Sequence, residues 1–148
     1  MDTVVFSCDV NILNPLEDKP INLKVTLNGD TKYKNDIFDS THIELLVNDQ
    51  DDTEQTIEFI ITQKSDVHTE LDYNGNIIKS TELIINNLNF DSVSIDNIIA
   101  VNPLPYFHDS NGALSEPTVN NFYNVAGCNG KITFKFTTPI YLWLLENM

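Results

Sequence analysis

Ile21-Asn22-Leu23-Lys24-Val25-Thr26-Leu27-Asn28-Gly29 is the stretch on which the fold turns. Ile21, Leu23, Val25 and Leu27 alternate with Asn22, Lys24 and Thr26. A period of two puts the aliphatic side chains on one face of a strand and the polar ones on the other. Asn28-Gly29 follows at once. Asn-Gly is the favoured pair for a type I′ hairpin, which needs positive φ at both central positions. A return strand is then expected through Thr31 to Lys34.

The same pattern recurs along the chain. Val4, Phe6, Cys8 and Val10 alternate with Val5, Ser7 and Asp9. Strands are also expected over His42 to Val47, around Ile57, Phe59 and Ile61, over Leu83 to Leu88, over Val93 to Ile99, and around Ile132, Phe134 and Phe136. Four of the five glycines follow Asn, at Gly29, Gly75, Gly112 and Gly130. Glycine spent this way implies short reversals between antiparallel strands. The fold expected is all-β: an antiparallel, jelly-roll-like β-sandwich forming a single domain over 1–148. Residues 100–127 show no period and hold Pro103, Pro105 and Pro117, so an irregular loop is expected there. Long connections of this kind commonly serve function or assembly.

Composition narrows the partners. The chain has 22 Asp+Glu against 8 Lys+Arg, a net charge of −14, and every basic residue is Lys. Phosphate backbones are bound by clustered cations, with Arg favoured for bidentate contacts. Neither nucleic acid nor an anionic membrane surface is therefore expected as a partner. Met1-Asp2-Thr3-Val4-Val5-Phe6 has neither the basic start nor the apolar run of a signal peptide. Cys8 and Cys128 are too few for a disulfide scaffold or a zinc site. Cys8 lies in an alternating apolar stretch, as a buried thiol would.

The chain ends in Thr138-Pro139-Ile140-Tyr141-Leu142-Trp143-Leu144-Leu145-Glu146-Asn147-Met148, which holds its single Trp. Tyr141, Leu144, Leu145 and Met148 fit one helix face, with Pro139 at its start. Ile140, Leu142 and Leu144 fit a strand equally well. The tail either closes the domain's own core or docks on a neighbouring subunit, with Tyr141, Trp143 and Leu145 as the assembly candidates.

No catalytic role is expected. His42, His68 and His108 are far apart in sequence, and no nucleophile elbow, P-loop or CxxC is present. No cofactor is required by any motif. Two loops do concentrate the oxygen ligands that calcium takes. The first holds Asn48, Asp49, Asp51, Asp52 and Glu54; the second holds Asp72, Asn74 and Asn76. The alternative is that these are turn residues bonding their own backbone. A second cluster, Tyr106, Phe107, His108, Asp109 and Asn111 with Phe122 and Tyr123, has the rings and polar groups of a sugar site. The same set suits a protein interface or a loop held down by its own aromatics.

Glu70-Leu71-Asp72-Tyr73-Asn74-Gly75-Asn76-Ile77-Ile78-Lys79, then Leu83-Ile84-Ile85 and Ile95-Asp96-Asn97-Ile98, resembles a pattern in small accessory virion proteins of tailed phages. The ending from Thr138 to Glu146 resembles it too. The likeness covers roughly the C-terminal half. It implies a non-enzymatic virion structural protein, a decoration, tail or fibre-associated component assembled in host cytoplasm. Its partners would be other virion subunits or further copies of itself. Abundant Asn, Ile and Asp without Arg suits an AT-rich phage genome. The same half is similar to the sandwich of calcium-dependent carbohydrate-binding modules, which implies instead a calcium ion and a surface glycan.

Overall fold

A computed structural model describes residues 2–108 and 116–148. Two antiparallel sheets face each other, as the alternation predicts. The first contains β1 (Thr3–Leu13), β4 (Thr41–Asn48), β8 (Glu82–Phe90), β9 (Val93–Ser94) and β12 (Val125–Ala126). Its order is β12-β8-β1-β4, with β9 pairing β8. The second contains β2 (Ile21–Leu27), β3 (Asp30–Ile37), β5 (Thr53–Thr62), β10 (Leu104–His108), β11 (Thr118–Phe122) and β13 (Gly130–Thr138). Its order is β11-β10-β13-β5-β2-β3. β6 (Thr69–Leu71) and β7 (Ile77–Ser80) form a separate two-stranded hairpin.

The core lies between the sheets. Phe6 and Phe90 come from the first sheet, and Phe59, Phe134 and Phe136 from the second; all five are buried. Phe90 and Phe136 meet across the gap with ring centroids 5.0 Å apart, and Phe6 and Phe134 at 6.0 Å. Tilted aromatic pairs at these distances add about 0.5–1.5 kcal/mol each beyond the area they bury. Asn28 and Gly29 take φ of 52° and 88°, so the first hairpin turns as its sequence requires.

Three expectations need correction. Val93 to Ile99 is not one strand. β9 is two residues long, and α1 (Asp96–Val101) follows it. Ile95, Ile98 and Ile99 are buried, and their i, i+3, i+4 spacing is a helical one. Asp96 accepts the Leu88 N–H at 3.0 Å, which ties the start of the helix to β8. Nor are the described residues of the 100–127 segment an irregular loop. It holds β10, β11 and β12, which pair through backbone bonds that leave no mark on side-chain period. Gly130 makes no tight turn. It opens β13, and a Cβ there would run into the carbonyl oxygen of Phe107. The glycine is needed for the close approach of two strands, not for positive φ.

The two ends of the sandwich differ. At one end β1 begins opposite Asn48, and α1 and α2 (Ile140–Asn147) close the core. At the other, Leu13 of β1 pairs with Glu82 and the β6–β7 hairpin leaves the sandwich. Asn14 ties that exit down. Its carbonyl accepts the Thr81 hydroxyl at 2.6 Å, and its side-chain amide donates to the Ser80 carbonyl at 3.0 Å. Among the described residues no helix is long and apolar enough to cross a membrane.

Candidate functional site

The C-terminal segment is a helix, and it divides its side chains between inside and outside. Ile140 and Trp143 are buried, and Leu144 packs partly against the core. The Trp143 indole meets Phe134 at 5.6 Å and Phe90 at 6.0 Å, both edge-on. Tyr141, Leu142, Leu145 and Met148 remain outside, with Leu145 69% exposed and Met148 85%. Of the three assembly candidates, then, Tyr141 and Leu145 present themselves to solvent and Trp143 does not. The helix is anchored in its own core while an apolar stripe faces away from it. Beside the stripe, α1 and α2 form a groove lined by Val93, Ile98, Val101, Leu144, Asn147 and Met148, among others. None of its lining side chains is charged.

The opposite end carries the second apolar feature. Leu71, Tyr73, Ile77 and Ile78 of the hairpin are all exposed, Tyr73 at 99%. Ile77 and Ile78 are neighbours on one strand, so they point to opposite faces, and both are open. The tip is well formed. Asp72 accepts backbone N–H bonds from Asn74 and Asn76, both at 2.9 Å, and Gly75 takes φ of 86°. Those bonds, the one from Asn76 first, hold the Asp72 carboxyl below the usual carboxylate range.

The base of the hairpin is tied down by two residues: Lys64, which sequence reading did not single out, and His68, which it considered only as a metal ligand. Lys64 is buried, and its ammonium donates to the Ser80 hydroxyl at 2.8 Å and to the Gly127 carbonyl. Burial lowers its pKa. His68 is buried as well. Its Nδ1 accepts the Ser65 N–H at 2.9 Å, and its Nε2 donates to the Lys19 carbonyl at 2.6 Å. Nothing in the local sequence marks either residue, since both sit in polar stretches.

The calcium candidates do not converge. Asp49, Asp51 and Asp52 join β4 to β5 at the helical end, whereas Asp72 and Asn74 sit on the hairpin at the other. One ion cannot use both loops. Asp49 is already engaged, accepting the Ile140 N–H at 2.7 Å. Asp52 holds a turn with φ of 46°. Among the described residues no group of three or more His, Cys, Asp or Glu could hold a metal ion.

The aromatic candidates also separate. Tyr106 and Phe122 are core residues packed edge-to-face at 6.2 Å. The Tyr106 hydroxyl accepts the Cys128 N–H at 2.9 Å and donates to the Cys128 carbonyl, and burial raises its pKa. His108 sits against the Tyr106 ring at 4.7 Å and bonds Asn120. Among the described candidates only Phe107 and Tyr123 are exposed. The Lys131 ammonium lies 5.8 Å from the Phe107 ring centroid and 3.0 Å from Glu58. Asp109 and Asn111 lie outside the described residues. No protein-family model matches this chain, and no curated protein and no solved structure matches it.

Proposed function

We propose that this chain is a non-enzymatic structural subunit of a tailed-phage virion, a decoration, tail or fibre-associated component that works through protein contacts. The observation that carries the assembly part is α2. Trp143 pins the helix to the core, and Tyr141, Leu142, Leu145 and Met148 are left as an outward apolar stripe. Contiguous apolar surface of this kind marks contact sites, and a chain of net charge −14 does not need it for solubility. The virion part draws on the likeness of the C-terminal half to accessory virion proteins and on the Arg-free composition. Mass spectrometry of purified particles tests it. Recovery of the chain in fixed proportion to the other virion proteins is the expected result. A strictly monomeric protein absent from the particles would remove the reading.

A calcium-dependent glycan-binding module is the second reading. It is favoured by the two exposed rings, Phe107 and Tyr123. Retention on a glycan array, dependent on calcium and lost in Phe107→Ala, would support it. Tyr106→Ala is not informative there, because Tyr106 is part of the core.

A further inference from the structure

We propose that two copies of this chain pair edge to edge through β4, antiparallel about a two-fold axis, so that their first sheets run on as one. This goes beyond the assembly reading above, which rests on α2, by naming a different surface and its occupant. β4 is the last strand of the first sheet. The Asp49 N–H donates to the Asp2 carbonyl at 3.0 Å, one step past the Thr3–Asn48 pair. In an antiparallel ladder every second residue turns its backbone groups to the same neighbour. Val47, Leu45, Ile43 and Thr41 therefore bond β1, while Asn48, Leu46, Glu44 and His42 turn their N–H and C=O outward. The Asn48 carbonyl is taken by the Gln55 side-chain amide at 2.7 Å. The open edge is thus His42 to Leu46, and an extended strand is what matches its alternating donors and acceptors.

The other sheet ends are blunted. β9 and β12 have two residues each. β11 has five and starts directly after Pro117. β3 has eight, but it carries Lys32 and Lys34 and its register against β2 is irregular. Short strands, lysine, proline and bulges are the usual guards of an edge. β4 runs eight residues in unbroken register with β1 and has none of these guards.

The residues of the edge favour a second copy, in one register. Three central two-fold registers keep Ile43, Leu45 and Val47 on the core side. Centring on Glu44 sets that carboxylate against its own counterpart. Centring on Leu45 calls on Asn48, whose carbonyl is taken. Centring on Ile43 sets each Glu44 opposite the His42 of the other copy, twice by symmetry, and opposite charges directly across a pair favour it. His42 lies 2.6 Å from Asp9 and 3.2 Å from Glu44 of its own chain, which favours its charged form. Glu44 is the one carboxylate in β4, so a chain of net charge −14 meets its copy here through a compensated pair. The same register sets the exposed Leu46 opposite Ser40, with the exposed Phe38 two residues further on. One strand serves both partners, and the contact closes at two copies.

The experiment removes one outward N–H. Glu44→Pro deletes a donor that β1 does not use, and proline is tolerated on an edge strand with that geometry. Leu46→Lys, at an exposed position, is the second variant if circular dichroism shows Glu44→Pro unfolded. Sedimentation velocity over a range of concentrations should show the wild type reaching twice the 16.8 kDa of one chain and nothing larger. Each variant should associate at least tenfold more weakly. Hydrogen exchange gives the signature of this edge. The amides of His42, Glu44 and Leu46 should gain protection as the dimer forms, while those of Ile43, Leu45 and Val47 are protected throughout. A monomeric wild type, variants that dimerise like it, or a dimer in which the three even-numbered amides stay unprotected would each overturn the pairing. So would protection of those amides in purified particles alone, which would assign the edge to a strand of another subunit. A chain found in virions but monomeric in solution fails this contact and leaves the virion reading standing. A β4 dimer absent from particles does the reverse.

Discussion

The carboxylate of Asp49, in the β4–β5 connection, accepts the backbone N–H of Ile140, the first residue of α2, at 2.7 Å. A helix's first N–H groups have no partner within the helix, and here a side chain 91 residues away supplies one. Asp49→Ala should therefore loosen the tail. A hydrogen bond to a charged group contributes about 1.5–3 kcal/mol. Urea unfolding followed by the fluorescence of Trp143, the sole Trp, should show a midpoint lowered by a loss of that order, with the slope unchanged. An unchanged midpoint would mean the bond contributes nothing in solution.

Trp143 and Leu145 stand two residues apart on α2 and should behave oppositely. Trp143 lies against Phe90, Phe134 and Phe136. Its removal leaves a cavity, so Trp143→Ala should cost about 3–5 kcal/mol. Leu145 is 69% exposed, and Leu145→Ala should change the stability of the single chain by less than about 0.5 kcal/mol. Differential scanning calorimetry at low protein concentration separates the two. Equal effects would show that the exposed stripe is covered within the chain.

The strand alternation was legible because apolar and polar residue types alternate along the strands. In β13, Phe134 and Phe136 are buried while Lys135 and Thr137 are exposed; in β2 the alternation is one of residue type only, since Asn22 and Thr26 are buried too. β11 was illegible for the opposite reason. It is an edge strand in which only Phe122 is buried, and Val119, Asn120 and Asn121 are exposed. Its pairing is carried by backbone, which has no sequence signal. α1 was misread because Val93, Ile95 and Ile99 also satisfy a period of two, while Ile95, Ile98 and Ile99 satisfy the helix. The tail's ambiguity was real, and only Trp143 packing on the phenylalanine cluster resolves it. The candidate sites suffered from distance. The two acidic loops look alike in sequence, yet strand direction sends them to opposite ends.

Gly130 gives a third test. Its φ is ordinary, so alanine suits its backbone, but the added Cβ would meet the Phe107 carbonyl and approach the His108 Cβ at 3.0 Å. The carbonyl belongs to a paired strand and cannot swing aside. Gly130→Ala should force β10 away from β13 and lose about 1–3 kcal/mol. Gly29→Ala should also destabilise, but through its positive φ, since nothing lies within 4 Å of the added carbon. Hydrogen exchange distinguishes the causes: Gly130→Ala should speed exchange in β10 and β13, and Gly29→Ala only near the β2–β3 turn. Uniform loss across both sheets in each variant would contradict the local explanation.

His42 and Asp9 face each other across β4 and β1, with Nδ1 2.6 Å from the carboxylate. The His42 pKa is raised above its ordinary 6.5, first by the bond to Asp9 and then by the one to Glu44. The Asp9 pKa is lowered below its ordinary 3.8 by the bonds from His42 and Asn87. The signs set a window. The His42 contribution to stability is complete below pH 6.5 and is lost as pH rises through the raised value. The Asp9 contribution is complete above pH 3.8 and is lost as pH falls through the lowered value. Both act fully only between these limits. Both side chains are exposed, so the effect on stability is small and the titration is the better readout. NMR of the His42 ring should give a midpoint above 6.5 in the wild type, falling towards 6.5 in Asp9→Asn. A wild-type midpoint at or below 6.5 would show that the pair does not form in solution.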